Sequence, residues 1–382
     1  MQLNKKIALT GGGTLGHITP NIALIPDLIK NNFDIIYIGS KNSQEKGIVE
    51  DENIPFFSIT ADKLRRYHDF KNFLMPINVI KGINEAIKIL KNEKVDIVFS
   101  KGGYVALPVV IAASRLSIPV ISHEADFTPG LANKISTPFS KKVCTNFPET
   151  AKMINNNKGI YTGCPIRPNL LLGSKEEGLK ILGFKENKPI MLVIGGSLGS
   201  IYINSLIRKN LKILTQKFNI IHCCGIGKVD LFYKKKSLEC INPLFKFVHN
   251  GIIYEDAIDS YKQIEIIKND LKNIYKASDI IISRAGANAI FEILALKKPN
   301  ILIPLSLRAS RGDQILNAKS FEKQGFSKVL MEEEIDNDNE IFIKAVDELF
   351  ENQKVYIDKM ISANKINAGE KITQILIDAI KK

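Results

Sequence analysis

Short apolar runs of strand length alternate with helical patterns along this chain, and the alternation begins twice. The strand-like runs are Ile7–Thr10, Ile35–Ile38, Ile97–Ser100, Val120–Ser122, Ile190–Ile194, Ile220–Cys224, Ile280–Ser283 and Ile301–Leu305. Most are continuous hydrophobic stretches, as parallel strands covered on both faces require. Between them the spacing predicts helices over Asn78–Lys91, Leu107–Leu116, Tyr202–Lys217, Ala287–Leu296 and Asp313–Gln324. Alternating β and α elements specify a doubly wound α/β architecture. The first series opens at Lys6 and fades near Tyr161; the second opens at Pro189, after the elbow Gly163–Asn169 and a polar helix near Lys175–Leu182. The reading is therefore of two Rossmann-like domains, 1–162 and 163–354, with 355–382 a terminal helix packing across both. The length of 382 residues agrees, at about 150 residues per domain.

Composition excludes several classes. Apolar residues at 45% and charged residues at 24% are those of a globular chain, not a disordered or fibrous one. The net charge of +13 admits two explanations: a general lysine bias, or an anionic partner such as nucleic acid, a membrane surface or a phosphorylated substrate. The basic residues are spread, and no nucleic-acid-binding module is present, so no nucleic-acid partner is expected. The five cysteines lack CxxC spacing and have no histidine at a zinc-ligand offset; they read as core residues in a reducing compartment. Met1–Lys6 leads straight into a buried-strand pattern without a signal-peptide core, and no 18 consecutive residues are apolar. A cytoplasmic protein is expected, free to lie on a membrane.

Each series opens with a strand running into a glycine-rich turn: Gly11-Gly12-Gly13-Thr14-Leu15-Gly16, then Gly195-Gly196-Ser197-Leu198-Gly199. The first matches the dinucleotide fingerprint, but an NAD site also needs an acidic residue at the end of the second strand. Asp34 stands at the beginning of that strand, so the NAD reading fails. What remains is a strand–glycine–helix junction that brings N–H groups and a positive helix end up to something negative. His17 follows at once. It is either a solvent-facing residue of the first helical turn or a general base at the carboxyl end of the first strand.

A third junction is Ile280–Glu292. Small residues at Ala285-Gly286-Ala287 leave a helix N-terminus uncovered, and Asn288 and Glu292 share a helix face. A carboxylate there can accept both hydrogen bonds of a ribose diol, or it is simply solvated. Two polar loops follow buried strands: Lys101-Gly102-Gly103-Tyr104, and His123-Glu124-Ala125-Asp126 running into Thr128-Pro129-Gly130. The spacing of His123, Glu124 and Asp126 matches no metal-ligand motif, so hydrogen bonding to a polyhydroxylated ligand is the better reading.

Together these segments resemble the MurG family of lipid-linked N-acetylglucosaminyltransferases, glycosyltransferase family 28. The resemblance rests on Gly12–His17, Lys101–Tyr104, His123-Glu124, Pro129–Lys134, Thr162–Arg167, Gly195–Gly199, Ser283–Ala287 and Asp313-Gln314 with Asn317-Ala318, in family order over roughly residues 5–325. It implies a GT-B fold, two Rossmann-like domains with an interdomain cleft. It implies UDP-N-acetylglucosamine as donor, the undecaprenyl-pyrophosphoryl-muramyl-pentapeptide lipid I as acceptor, and lipid II as product, with no cofactor. The implied substrate-binding residues are Thr14, Leu15, Gly16, Tyr104, His123, Asn133, Arg167, Ser197, Arg284, Ala287, Asn288, Ala289, Glu292, Gln314 and Asn317. Among these, Arg167 and Ser197 contact the donor, Ala287 to Glu292 hold pyrophosphate and ribose, and Gln314 and Asn317 reach sugar hydroxyls. His17 is the expected base, with Asp126 and Glu124 as rivals. Two departures stand out: Asp126 replaces the family's usual Asn, and Leu15 replaces a glycine.

A lipid acceptor requires membrane contact. Lys63, Arg65, Arg66, Phe70, Lys71, Phe73 and Leu74 mix cations with apolar side chains as an interfacial segment does, although a loop and half-buried helix would carry the same residues. The expected location is the cytoplasmic face of the cell membrane, held peripherally, with cell-wall synthesis or division proteins as further partners. The alternatives are another GT-B enzyme, such as a UDP-sugar epimerase or a glycolipid glycosyltransferase, and a non-catalytic nucleotide-sugar sensor.

Overall fold

The computed structural model describes residues 5–13, 15–41, 45–61, 71–184, 187–196, 198–229, 247–249, 252–254, 259–267, 270–308, 310–363 and 366–381. The chain divides into two compact units, Met1–Arg167 with Lys365–Lys382, and Pro168–Asn364.

Unit 1 is a seven-stranded sheet of β1 (Lys5–Thr10), β2 (Phe33–Ser40), β3 (Phe56–Ile59), β4 (Ile97–Ser100), β5 (Val120–Glu124), β6 (Lys142–Thr145) and β7 (Gly159–Tyr161). All neighbours pair in parallel, in the order β3-β2-β1-β4-β5-β6-β7. Alternate residues of one strand serve opposite faces. Ile7 and Leu9 pack with Ile18, Leu24 and Leu28, whereas Ala8 packs with Leu90, Val109 and Val110 on the other side. Burying each of the Ile, Leu and Val side chains contributes about 1.5–3 kcal/mol, so two covered faces make this sheet the scaffold on which loops are held.

Unit 2 contains β8 (Ile190–Ile194), β9 (Asn219–Cys223), β10 (Phe247–His249), β11 (Ile252–Tyr254), β12 (Tyr261–Ile264), β13 (Ile280–Ser283), β14 (Asn300–Leu302) and β15 (Lys328–Val329). Its parallel sheet runs β12-β9-β8-β13-β14-β15, and β10 and β11 form a separate antiparallel pair. Met191 and Val193 face Ile203, Ile207, Phe342 and Leu349; Leu192 faces Ile221, Ile274 and Ile293. In each unit the strand order reverses once, between β1 and β4 and between β8 and β13. Open α/β sheets receive ligands at that point, beyond the carboxyl ends of the strands.

Two helices expected to be continuous are interrupted. The stretch read as Tyr202–Lys217 is Ile201–Lys209 and Leu211–Lys217, parted at Asn210, whose amide donates to the Leu206 carbonyl and to Asn339 Oδ1. The stretch read as one helix over 355–382 is Gln353–Ser362, in unit 2, and Ala368–Lys381, in unit 1. Asn367 starts the latter by accepting the Glu370 N–H on its side chain. Ile372 and Leu376 of that helix complete the core around Ile7 and Leu9.

Candidate active site

In unit 1, β1 delivers the turn Gly11–Gly13 and β4 delivers Lys101–Tyr104, side by side at the reversal point. The turn is supported from three elements. The Tyr37 hydroxyl of β2 donates to the Gly11 carbonyl at 2.6 Å, Asn21 Nδ2 of the helix Leu15–Lys30 donates to the Thr10 carbonyl at 3.2 Å, and the Gly13 N–H donates to Glu45 Oε1 at 2.7 Å. Glycine is required where the two loops meet. Gly13 and Gly103 have φ +90° and +81°; a methyl on Gly13 would strike the Tyr104 ring, and one on Gly103 would strike the Gly12 carbonyl. Thr14 lies outside the described residues, as does the side chain of Leu15; Gly16 is exposed in the first helical turn.

His17 packs its Cδ2 edge against Gly103. A ring N–H donates to the Lys101 carbonyl, which leaves the other ring nitrogen with its lone pair. Burial, and next the Lys101 ammonium, push the imidazole down to about 4. His17 is thus a neutral acceptor at pH 7, held in one orientation.

The remaining polar residues of this unit are linked to one another. Lys101 is buried, which pushes its ammonium down from the usual range, and its Nζ donates to His123 Nδ1 at 2.6 Å. His123 Nε2 faces the Gly163 carbonyl at 3.5 Å; burial and Lys101 hold the ring well below its ordinary value. Burial, then the neighbouring Asp126, raise the Glu124 carboxyl. Glu124 Oε1 accepts the Asp126 N–H at 3.1 Å, and its Oε2 accepts from the Gly130 N–H and Asn133 Nδ2, both at 2.8 Å. It thereby caps the helix Leu131–Ser136, which begins after Gly130. Asn133 also donates to the His123 carbonyl. Of the three expected bases, Glu124 has both oxygens engaged, Asp126 is half-buried, and His17, among the described residues, has one ring nitrogen engaged by the Lys101 carbonyl. Tyr104 and Arg167 are half-buried.

In unit 2 the turn after β8 has two kinds of glycine. Gly199, at φ +67°, packs directly on the Cys224 carbonyl, whereas a methyl on Gly196, at φ +93°, would meet nothing within 4 Å. Ser197 lies outside the described residues. After β13, Gly286 N-caps the helix Ala287–Leu296 without a side-chain cap, and a methyl there would also meet nothing within 4 Å. The N-terminal end of that helix, at Gly286 and Ala287, is therefore approachable, and a helix end of this kind can receive an anion. Glu292 is buried one turn on, on the Asn288 face.

The other expected contacts brace this junction. The Arg284 guanidinium donates to the Ile303 and Pro304 carbonyls and to Ser200 Oγ, and pairs with Glu332 at 2.6 Å. Asn317 is fully buried and donates to the Ala285 carbonyl, while half-buried Gln314 accepts the Leu305 N–H. Sequence reasoning missed Glu45, Tyr37 and Asn21 beneath the first turn. Only a buried-carboxylate pattern in the helix Glu45–Glu50 could have signalled Glu45, and its contact lies 32 residues away. Among the described residues, no group of three His, Cys, Asp or Glu side chains could hold a metal ion. Lys63, Arg65, Arg66 and Phe70 lie outside the described residues; Lys71, Phe73 and Leu74 fall in the helix Lys71–Asn92, their side chains outside the described ones.

Residues 7–145 match the glycosyltransferase family 28 N-terminal domain, and residues 190–376 match the family's C-terminal domain. A relative from Clostridium tetani, a UDP-N-acetylglucosamine--N-acetylmuramyl-(pentapeptide) pyrophosphoryl-undecaprenol N-acetylglucosamine transferase, is 52% identical over 380 residues, covering 100% of this chain and 98% of the relative. A transferase of the same name from Clostridium botulinum (strain Kyoto / Type A2) is 51% identical over 372 residues, covering 97% and 98%. In fold, the chain resembles the crystal structure of Acinetobacter baumannii MurG with a TM-score of 0.71 and 24% identity, over 98% of this chain and 99% of that one. It also resembles the UDP-GlcNAc 2-epimerase of Methanocaldococcus jannaschii, with a TM-score of 0.60 and 18% identity over 98% and 99%.

Proposed function

Since the chain belongs to glycosyltransferase family 28, we propose that it transfers N-acetylglucosamine from UDP-N-acetylglucosamine to the muramyl C4 hydroxyl of undecaprenyl-pyrophosphoryl-MurNAc-pentapeptide. The observation that carries this reading is 52% identity to a transferase of that name over the whole chain.

The residues suggest how the reaction proceeds. The free ring nitrogen of His17 takes the proton of the acceptor hydroxyl as its oxygen attacks the anomeric carbon. The bond from that carbon to the diphosphate oxygen breaks, UDP departs, and the configuration inverts. The uncovered N-terminus of the helix Ala287–Leu296 receives the departing charge through N–H groups already in place. Glu292 holds the ribose diol, while Arg284 and Asn317 keep the junction rigid. Neither metal nor cofactor enters this scheme.

The lipid acceptor brings the enzyme to the cytoplasmic face of the membrane. Ile77 and Ile80 support this: they are 61% and 58% exposed, three residues apart on the helix Lys71–Asn92, with exposed Lys81 beside them. No described helix is long and apolar enough to cross a membrane, so the proposed attachment is peripheral. Transfer of radiolabel from UDP-N-acetylglucosamine to a lipid I analogue tests the reading. Label in the lipid fraction is expected, and none with folded enzyme refutes it.

A further inference from the structure

The loop after β9, Cys224–Lys228, has no part in the chemistry proposed above, but it is closely built. Gly225 and Gly227 have φ +92° and +70°. A methyl on Gly225 would run into the Leu198 carbonyl, and one on Gly199 into the Cys224 carbonyl, so this loop and the turn Gly195–Gly199 lie backbone against backbone. The loop is also fixed from behind. Arg208, on the helix Ile201–Lys209, donates to the Lys228 carbonyl at 2.9 Å and to Gln263 Oε1 of β12 at 2.6 Å. The Gly227 N–H donates to Glu265 Oε1 at 2.8 Å.

This platform aims one cation. Half-buried Lys228 donates from Nζ to the Leu198 carbonyl at 2.7 Å and to the Gly199 carbonyl at 3.2 Å. Among the described residues no carboxylate pairs with it. On the β13 side, Arg284 donates at 2.7 Å to Oγ of Ser200, which caps the helix Ile201–Lys209. In the order β9-β8-β13 the turn after β8 is therefore held from both flanks, by Lys228 on its carbonyls and by Arg284 on the serine that follows. Electrostatics gives the grip a purpose. A glycine turn flips its peptides at little cost, and a flip puts a carbonyl oxygen where an N–H had pointed. An N–H attracts a phosphate, and a carbonyl oxygen repels it. An ammonium on the Leu198 and Gly199 carbonyls fixes their oxygens on its own side and offsets their negative ends. It also brings a positive charge to the strand-order reversal, where a ligand approaches. Gly196 stays open there, since a methyl on it would meet nothing within 4 Å.

We infer that Lys228 is a positioning residue for the donor: it holds the carbonyls of the Gly195–Gly199 turn away from the diphosphate, so that the turn can receive that group. The inference deepens the proposed function and rests on its donor, UDP-N-acetylglucosamine.

The test uses the full chain with UDP and uridine as probes, both titrated by nuclear magnetic resonance. Lys228→Met keeps the apolar stem of the side chain and removes the charge. UDP should bind K228M about 10-fold more weakly than wild type, or worse, whereas uridine, which has no phosphate, should bind within about 2-fold of wild type. Unchanged UDP affinity overturns the inference. So does an equal loss for both probes, which is what a purely structural staple would give. A second measurement needs no variant. In 15N-labelled wild-type enzyme the Gly196 and Gly199 amide resonances should shift saturably with UDP and stay in place with uridine, and no shift with UDP overturns the inference. Neither readout needs an acceptor, so a wild-type enzyme that binds UDP as expected and transfers no sugar refutes the proposed function alone.

Discussion

Gly286→Ala separates binding from folding at the unit 2 junction. Gly286 has φ −67° and ψ 134°, which any residue adopts, and an added methyl would meet nothing within 4 Å. Alanine is a poorer N-cap than glycine, a loss of a few tenths of a kcal/mol up to about 1 kcal/mol. It also restricts the unfolded chain, a gain of about 0.4–1 kcal/mol. The two nearly cancel, so stability should change by less than about 1 kcal/mol, which for a unit this size is about 2–4 °C in melting temperature. In the proposed scheme the same methyl stands in the path of the diphosphate towards the N-terminus of the helix Ala287–Leu296. Losing even one charge-assisted hydrogen bond there, at about 1.5–3 kcal/mol, raises the donor KM roughly 10-fold or more. Thermal melts and steady-state kinetics with varied UDP-N-acetylglucosamine measure both quantities on one preparation. An unchanged melt with unchanged donor KM would refute the assignment of that helix end to the diphosphate.

Further predictions concern the base, acid stability and the membrane. His17→Ala should lower kcat by about 100-fold or more under conditions where the variant is still folded by its melt, and near-wild-type turnover would pass the role to Asp126. Because His17 is pushed down to about 4, the acid limb of kcat/KM in wild type should fall near that pH, not near 6.5. His222 is buried between Tyr261 and Asn204 and is lowered by burial to about 3. Below pH 6.5 the unfolded chain takes a proton that the fold refuses, so stability falls with pH; from pH 7.5 to 5 the loss is about 2 kcal/mol for this histidine. Denaturant melts across that range check it, and a stability rising towards pH 5 would contradict it. Ile77→Glu with Ile80→Glu should weaken sedimentation with anionic vesicles several-fold and leave transfer to a short-chain soluble acceptor unchanged.

What could be read from the sequence follows the range of the interactions. The strands β1, β4, β8 and β13 carry apolar runs that give way at once to small, polar or glycine residues, so both their burial and the junctions after them show locally. The two-residue β15 and half-buried β7 offer no apolar run and are defined only by their neighbours. His17 was legible from its place after a turn; its preferred ring orientation was not, since it depends on the Lys101 carbonyl. Arg284 shows the converse. The family resemblance implies a substrate contact for it, yet the fold surrounds its guanidinium with two carbonyls, Ser200 and Glu332. Glu45 gave no signal because a carboxylate's meaning depends on what lies over it.

The most direct measurement is the structure of the product. With UDP-N-acetylglucosamine and a lipid I analogue, nuclear magnetic resonance should show a new disaccharide in which the N-acetylglucosamine anomeric carbon correlates with the muramyl C4 proton, in the β configuration required by inversion. An α linkage, attachment at another hydroxyl, or a donor epimerised at C2 with the acceptor untouched would contradict the account.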